Sequence, residues 1–355
     1  MAATLKCDTI QNASSSTANL TLDASGNATV GNTLVMGSSF KRNRIINGNM
    51  YIAQRATSAT VTAGTAVPTA STGYPCLDRW YVYSTGANVT AAQVAGSGSN
   101  KNLLQITGAA SVTAVGVGQR IEQLNSYDLA GQTATLSVNL ANSVLTTVTW
   151  TASYANTADT FGTIGTPTKT QIATGTFTVT STLTQYTTNI SIPAAATTGI
   201  EILFTVGAQT SGTWQIGNVQ LEAGSVATPY ERQIYSDQLA QCQRYTYILP
   251  AAASGLYFQA IGAVNSGGVG LAGGSFPVTM RAIPVLTVSA TASNYQIYLV
   301  NGGTTSSCTA VSLNGVTNTN YFLLQLAWST TGTAGQVLWF SCSTAGSPAI
   351  FSAEL

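Results

Sequence analysis

The sequence predicts an all-β protein: a jelly-roll β-sandwich, one short helix, and a second β-rich domain. Three observations predict it. Apolar and polar residues alternate at period two through most of the chain. The 34 glycines gather with Asn and Ser between those runs, where turns belong. Ionisable side chains are scarce, 12 basic and 11 acidic in 355 residues, where an ordinary soluble domain carries about a quarter. At 45% apolar the chain is no disordered polymer. It must cover itself with Thr, Ser, Asn, Gln and Gly instead of charge.

Residues 1–40 read as short β-arcs. Leu20, Leu22, Val30 and Leu34 carry the apolar pattern, broken by Ser25-Gly26-Asn27 and Gly31-Asn32. So few residues cannot bury a core alone. The segment therefore docks on another protein or wraps around identical copies.

Residues 41–229 read as the sandwich. In TATLSVNL, Leu136, Val138 and Leu140 share one face and Thr135, Ser137 and Asn139 the other; TVTWTASY continues with Val148, Trp150, Ala152 and Tyr154. NLLQIT, GVGQRIEQL, FTVTST, QYTTNISI, EILFTV and WQIGNVQL bring the count to about eight, the number in a jelly roll.

Residues 230–247 are predicted to hold the helix. Thr228 to Glu231 fits a capping box with Pro229 at the first helical position, and Ser236 offers a second start. Tyr235, Leu239, Cys242 and Thr246 form a narrow apolar stripe, suited to sibling helices or the underside of the sandwich.

Residues 248–355 read as a β-rich tip built from SGLYFQAIGAV, IPVLTVSA, YQIYLV, YFLLQLAW and QVLWFSCS, with NSGG, NGGTTSS, LNGVTNTN and STTGTAG as turns. Beyond Arg244 the only charges are Arg281 and Glu354. A lone domain so neutral invites association, which trimeric packing would satisfy.

Composition excludes much chemistry. With no histidine, Ser/His/Asp and Cys/His nucleophiles and His-ligated metals are absent. Net charge is +1, and the one basic cluster, Lys41, Arg42 and Arg44, reads as a hinge or a contact for an acidic surface, not a nucleic-acid footprint. Cys7, Cys76, Cys242, Cys308 and Cys342 are odd in number and contain no CxxC, which points to a reducing compartment; Cys308 and Cys342 are placed to meet across strands. Neither a signal peptide nor a membrane span is predicted.

NRIINGNMYIAQR (Asn43 to Arg55), YPCLDRWYV (Tyr74 to Val82), VQLEAGSVATPYERQIYSDQLAQCQRYT (Val219 to Thr246), SFPVTMRAIPVLTV (Ser275 to Val288) and the closing SAEL resemble, in content and order, segments of bacteriophage tail fibre and receptor-binding proteins. Gln238 stands where that family usually has Glu. The resemblance implies a homotrimeric virion fibre, assembled in the host cytoplasm, with a sandwich similar to carbohydrate-binding modules. Its N-terminal segment, with Leu20, Leu22, Val30 and Leu34 as candidates, would hold other tail or baseplate proteins. Its distal tip would meet a host surface glycan or other receptor, with no cofactor, nucleic acid or membrane insertion.

Glycan binding needs aromatic faces and uncharged polar groups. The tip's candidates are Tyr295, Tyr298, Tyr321, Trp328 and Trp339, with Arg281 able to address an acidic sugar; Trp328 and Trp339 sit in apolar strands that favour core packing. A depolymerase would need paired carboxylates roughly 5–10 Å apart. Among Asp78, Glu122, Asp128, Asp159, Glu201 and Glu222 no pairing is legible, and Asp78-Arg79 and Arg120-x-Glu122 read as ion pairs that orient the fold. Asp128 and Asp159 are the weak candidates for calcium. A purely structural role as collar, head fibre or baseplate spacer is the alternative.

Overall fold

The structure, a computed structural model, describes residues 7–11, 13–14, 20–22, 24, 28–30, 41–251, 259–300, 302–344 and 346–355. It divides into two compact units, Met1–Arg42 and Asn43–Leu355. The first holds three short antiparallel strands, β1 (Thr9–Ile10), β2 (Leu20–Leu22) and β3 (Ala28–Val30). Leu20 lies opposite Val30, and Ile10 and Leu22 are exposed. Leu34 lies outside the described residues, as does 254–258 at the start of the predicted SGLYFQAIGAV strand.

The second unit begins with an antiparallel sandwich of eleven strands: β4 (Ser58–Val61), β5 (Tyr81–Thr85), β6 (Val89–Ala95), β7 (Asn102–Thr107), β8 (Ala114–Ile121), β9 (Thr133–Asn142), β10 (Thr147–Ala155), β11 (Lys169–Thr178), β12 (Thr184–Ser191), β13 (Ile200–Val206) and β14 (Thr213–Ala223). One sheet has the order β11-β10-β13-β8-β5, the other β12-β9-β14-β7-β6-β4. The chain passes repeatedly from sheet to sheet, as in a jelly roll. Leu136, Val138, Leu140, Val148, Trp150 and Ala152 all enter the shared core, as their alternation requires.

The count of eight strands is corrected to eleven. Sequence reasoning passed over β4, β5 and β6, and β5 lacks alternation because Tyr81, Val82, Tyr83 and Ser84 are all buried. Glycines opposite make that possible. Tyr81 pairs with Gly118 and Tyr83 with Gly116, and a Cβ at Gly118 would stand 2.4 Å from the Tyr81 ring and one at Gly116 2.0 Å from the Tyr83 ring.

The helix α1 runs only Tyr235–Gln243, with Ile234 at its N-cap and no side-chain cap. Thr228 and Glu231 do not cap it. Thr228 donates through Oγ1 to Glu222 Oε2 (2.6 Å), and Glu231 Oε2 accepts from the Asn43 amide (2.9 Å), so the predicted box fastens the linker onto β14. Gln238 and Cys242 are its buried residues, and Tyr235 is exposed.

Beyond the helix come β15 (Thr246–Leu249), β16 (Ala260–Ser266), β17 (Val269–Ser275), β18 (Val285–Thr287), β19 (Tyr295–Leu299), β20 (Thr304–Leu313), β21 (Tyr321–Trp328), β22 (Val337–Cys342) and β23 (Ala349–Ser352). Six close into a barrel, β16-β17-β21-β20-β19-β22, and β15-β23-β18 form a small sheet. Closure leaves the barrel no open edge. Phe276 and Met280 of the FPVTMRAIP segment are buried in the barrel core, where Phe276, Phe322, Phe351 and Tyr247 cluster with centroids 4.7–6.3 Å apart.

Candidate functional site

The segments that resemble phage fibres converge between the sandwich and the barrel. Asn43 and Asn47 organise the first of them. The Asn43 side chain donates to the Val219 carbonyl oxygen (3.0 Å) and accepts from the amides of Ile45 and Leu221, tying the opening of the sandwich to its last strand. Asn47 accepts from Tyr51 and Ile52 amides and donates to the carbonyl oxygens of Ile52 and Asp78, while Trp80 Nε1 donates to the Asn47 carbonyl oxygen (2.9 Å). Between them Gly48 touches Val219 so closely that a Cβ would lie 2.1 Å from its carbonyl oxygen.

Charge is concentrated at this junction. Glu354, fully enclosed, pairs with Arg79 and lies 3.6 Å from Arg55, and Thr246 Oγ1 donates to it (3.2 Å). The Arg79 guanidinium stands 3.5 Å above the Tyr245 ring centroid. Tyr245 donates to Glu122 Oε2 (2.9 Å), and Arg244 grips the same carboxylate from two nitrogens (2.8 and 3.2 Å). Burial pushes the Tyr245 phenol up to about 12. Arg120 bonds Glu201 (2.9 Å) and the backbone oxygen of Leu355 (2.8 Å), which also accepts from Tyr74.

Asp78-Arg79 and Arg120-x-Glu122 are therefore structural, as expected, but with other partners. Asp78 and Arg79 lie in a turn and Glu122 lies just beyond the end of β8, and the ion-pair partners come from remote segments: Glu354 for Arg79, Glu201 for Arg120 and Arg244 for Glu122. Asp78 is held by the Gln54 backbone and side-chain amides; its carboxyl is raised by burial, with Arg55 opposing.

The other carboxylates of the sandwich are likewise in use. Asp128 pairs with Arg44, Asp159 accepts from the Gln123 amide (2.7 Å), and Glu222 holds Thr228. Among the described residues no group of three or more His, Cys, Asp or Glu stands ready for a metal ion. No described helix is long and apolar enough to cross a membrane.

The tip's predicted receptor residues separate. Tyr295 is buried, its hydroxyl donating to the Pro348 carbonyl oxygen (3.1 Å), and Trp328 is buried in the barrel. Neither presents a face to a ligand, because both occupy inward positions of their strands. Arg281 is bound to the carbonyl oxygens of Ala353 (2.7 Å) and Glu354 (3.0 Å), holding the last strand's continuation in place of a sugar. Tyr321 is exposed at the start of β21. Tyr298 faces outward.

There it meets Trp339, directly opposite on β22, in a stacked pair with centroids 5.4 Å apart and planes 23° apart. Around the pair on the barrel's outer wall lie Thr305 opposite Tyr298, Ile261 opposite Trp339, and Gln296 two residues away, while Ser341 opposite Gln296 is buried. This half-buried aromatic platform in an uncharged polar surround is built to stack on a flat apolar face and to exchange hydrogen bonds at its rim. Trp339 is among the sequence candidates, with core packing favoured because β22 reads as an apolar run; the structure turns it outward and half-buried. Its alternation with buried Leu338 and Phe340 was the available signal.

The five cysteines are free thiols. Cys308 and Cys342 lie in strands that both pair with β19 and not with each other, and burial pushes each thiol up to about 12.

No known family model matches the chain, and no curated protein matches it. Solved structures do resemble part of it. A CBM4 module matches at 14% identity and TM-score 0.34, covering 50% of this chain and 98% of its own. The enzymatically active domain of bacteriophage CBA120 tailspike protein 4 matches at 18% identity and TM-score 0.31, over 52% of this chain and 22% of its own. A family 11 carbohydrate-binding module from Clostridium thermocellum, in complex with a β-1,3-1,4-mixed-linked tetrasaccharide, matches at 13% identity and TM-score 0.29, over 49% and 99%.

Proposed function

We propose that this chain is the subunit of a homotrimeric phage fibre that adheres to host-surface glycans without catalysis. The observation that carries the reading is the stacked Tyr298–Trp339 pair on the outer wall of a barrel whose strands contain no charged residue. A partner recognised there is recognised by stacking and neutral hydrogen bonds, the chemistry of sugar rings and hydroxyls. Single contacts of this kind are weak, and three copies per fibre multiply them. The short strands of residues 1–42, with Ile10 and Leu22 exposed, fit a segment completed by other copies or by a virion protein.

The test is binding of fluorescent full-length protein to host and non-host cells, with Trp339→Ala and Tyr298→Ala beside it. Binding to the host reduced at least tenfold in both variants, with melting temperature unchanged, supports the reading. Host binding unaltered by both, or reducing sugar released continuously by the wild type, overturns it. A second reading, a spacer within the virion, draws on the fact that the fibre-like segments form the junction between sandwich and barrel. It requires that wild-type protein bind no cells.

A further inference from the structure

A second cleft lies on the sandwich side of the molecule, apart from the barrel platform. Tyr51 and Tyr235 form its aromatic walls, edge to face with centroids 5.4 Å apart, and Lys101, Arg232 and Asn49 border it. Its volume is about 200 Å³, below the roughly 300–1,000 Å³ of drug-sized pockets and suited to a single ring.

Its charge sets it apart. In this unit Arg44, Arg55, Arg79, Arg120, Lys169 and Arg244 each pair with a carboxylate. Lys101 and Arg232 have no such partner among the described residues. Lys101 Nζ donates to the Tyr51 hydroxyl (3.1 Å) and lies 5.0 Å from that ring's centroid, and Arg232 donates to the Ser99 carbonyl oxygen. Both cations are exposed. Their acidic sequence neighbours do not line the cleft, and Glu231 is engaged with the Asn43 amide. Asn49 Oδ1 has no hydrogen-bond partner, so its amide gains a bond by turning toward a ligand hydroxyl.

We infer that this cleft binds a carboxylate-bearing sugar, its ring against Tyr235 and its carboxylate between Lys101 and Arg232. The inference extends the glycan-adhesion reading to a second site and an acidic ligand class, and it rests on that reading only for its biological setting.

The experiment is calorimetric titration of full-length protein with short oligosaccharides containing galacturonate, glucuronate or sialate, and with their methyl esters. Wild type is expected to bind at least one acid at least tenfold more tightly than its ester, with affinity falling as salt rises. Lys101→Gln with Arg232→Gln is expected to remove that preference, and Tyr235→Ala to weaken binding of acid and ester alike at least tenfold, neither lowering the melting temperature. Trp339→Ala is expected to leave it intact. No binding of any acid, equal binding of acid and ester, or a preference that survives the double substitution overturns the inference. Loss of acid binding in Trp339→Ala assigns the acid to the barrel and overturns it too. Host-cell binding that depends on Trp339 stands or falls separately.

Discussion

At the scale of single residues, several of the few charges lie inside, among them Asp78, Arg79, Arg120, Glu122, Glu201 and Glu354. Arg79 and Glu354 are both fully buried, and such a pair contributes specificity more than net stability, whereas removing one partner strands a buried charge. Glu354→Gln is expected to lower unfolding free energy by about 3–5 kcal/mol, read by denaturant titration. Asp78 gives a pH signature. Its folded carboxyl is raised above the ordinary value of 3.8, chiefly by burial, so the folded state holds its proton more tightly. Its contribution to stability is then greatest below the ordinary value and lost as pH rises through the raised one. Measured against Asp78→Asn, which has no such titration, the wild type is expected to lose relative stability as pH is raised from about 3.8. A difference that grows in the opposite sense would show that Arg55 outweighs burial. The thiols are equally sheltered: Cys76, Cys242, Cys308 and Cys342 are buried with raised values. Native alkylation at pH 8 is expected to label no thiol but Cys7, with mass spectrometry as the readout.

Among elements, period two was a sound guide where one face of a strand meets the core and the other is partly exposed, as in β10 and β12. It failed where both faces are covered, as in β5, and where the inward residues are small, as in β20, whose Ser306 faces in from the NGGTTSS segment that reads as a turn. Of the two predicted helix starts, the one at Ser236 falls beside the observed start at Tyr235, whereas the one at Thr228 fails because Thr228 and Glu231 serve tertiary bonds, which no local motif reveals. The platform was half legible: Tyr298 and Trp339 both stood among the candidates, but their pairing did not, because register is set by the barrel's closure. Gly48 illustrates the same dependence. Nothing near it in sequence announces that β14 will press against it, yet Gly48→Ala is expected to destabilise by about 1–3 kcal/mol, seen as a lowered melting temperature, since the obstacle is backbone.

For the whole molecule, the junction makes sandwich and barrel interdependent. Residues 43–355 form one compact unit, with Arg55, Arg79, Arg120 and Tyr74 of the sandwich bound to Ser352, Glu354 or Leu355. Calorimetry is expected to show one cooperative transition for this unit, and Arg79→Ala with Glu354→Ala to resolve it into two. Light scattering of the full chain is expected to give three subunits per particle; a monomer with intact β-structure would defeat the fibre reading.

The distance along the chain between Arg79 and its counter-ion has a bearing on synthesis. The two are 275 residues apart, so a ribosome completes every strand of the sandwich long before the carboxylate that neutralises its buried guanidinium emerges. A nascent chain that has not yet reached Glu354 leaves the buried Arg79 guanidinium without that carboxylate, so the junction takes its final form only after both the sandwich and the barrel strands have been made.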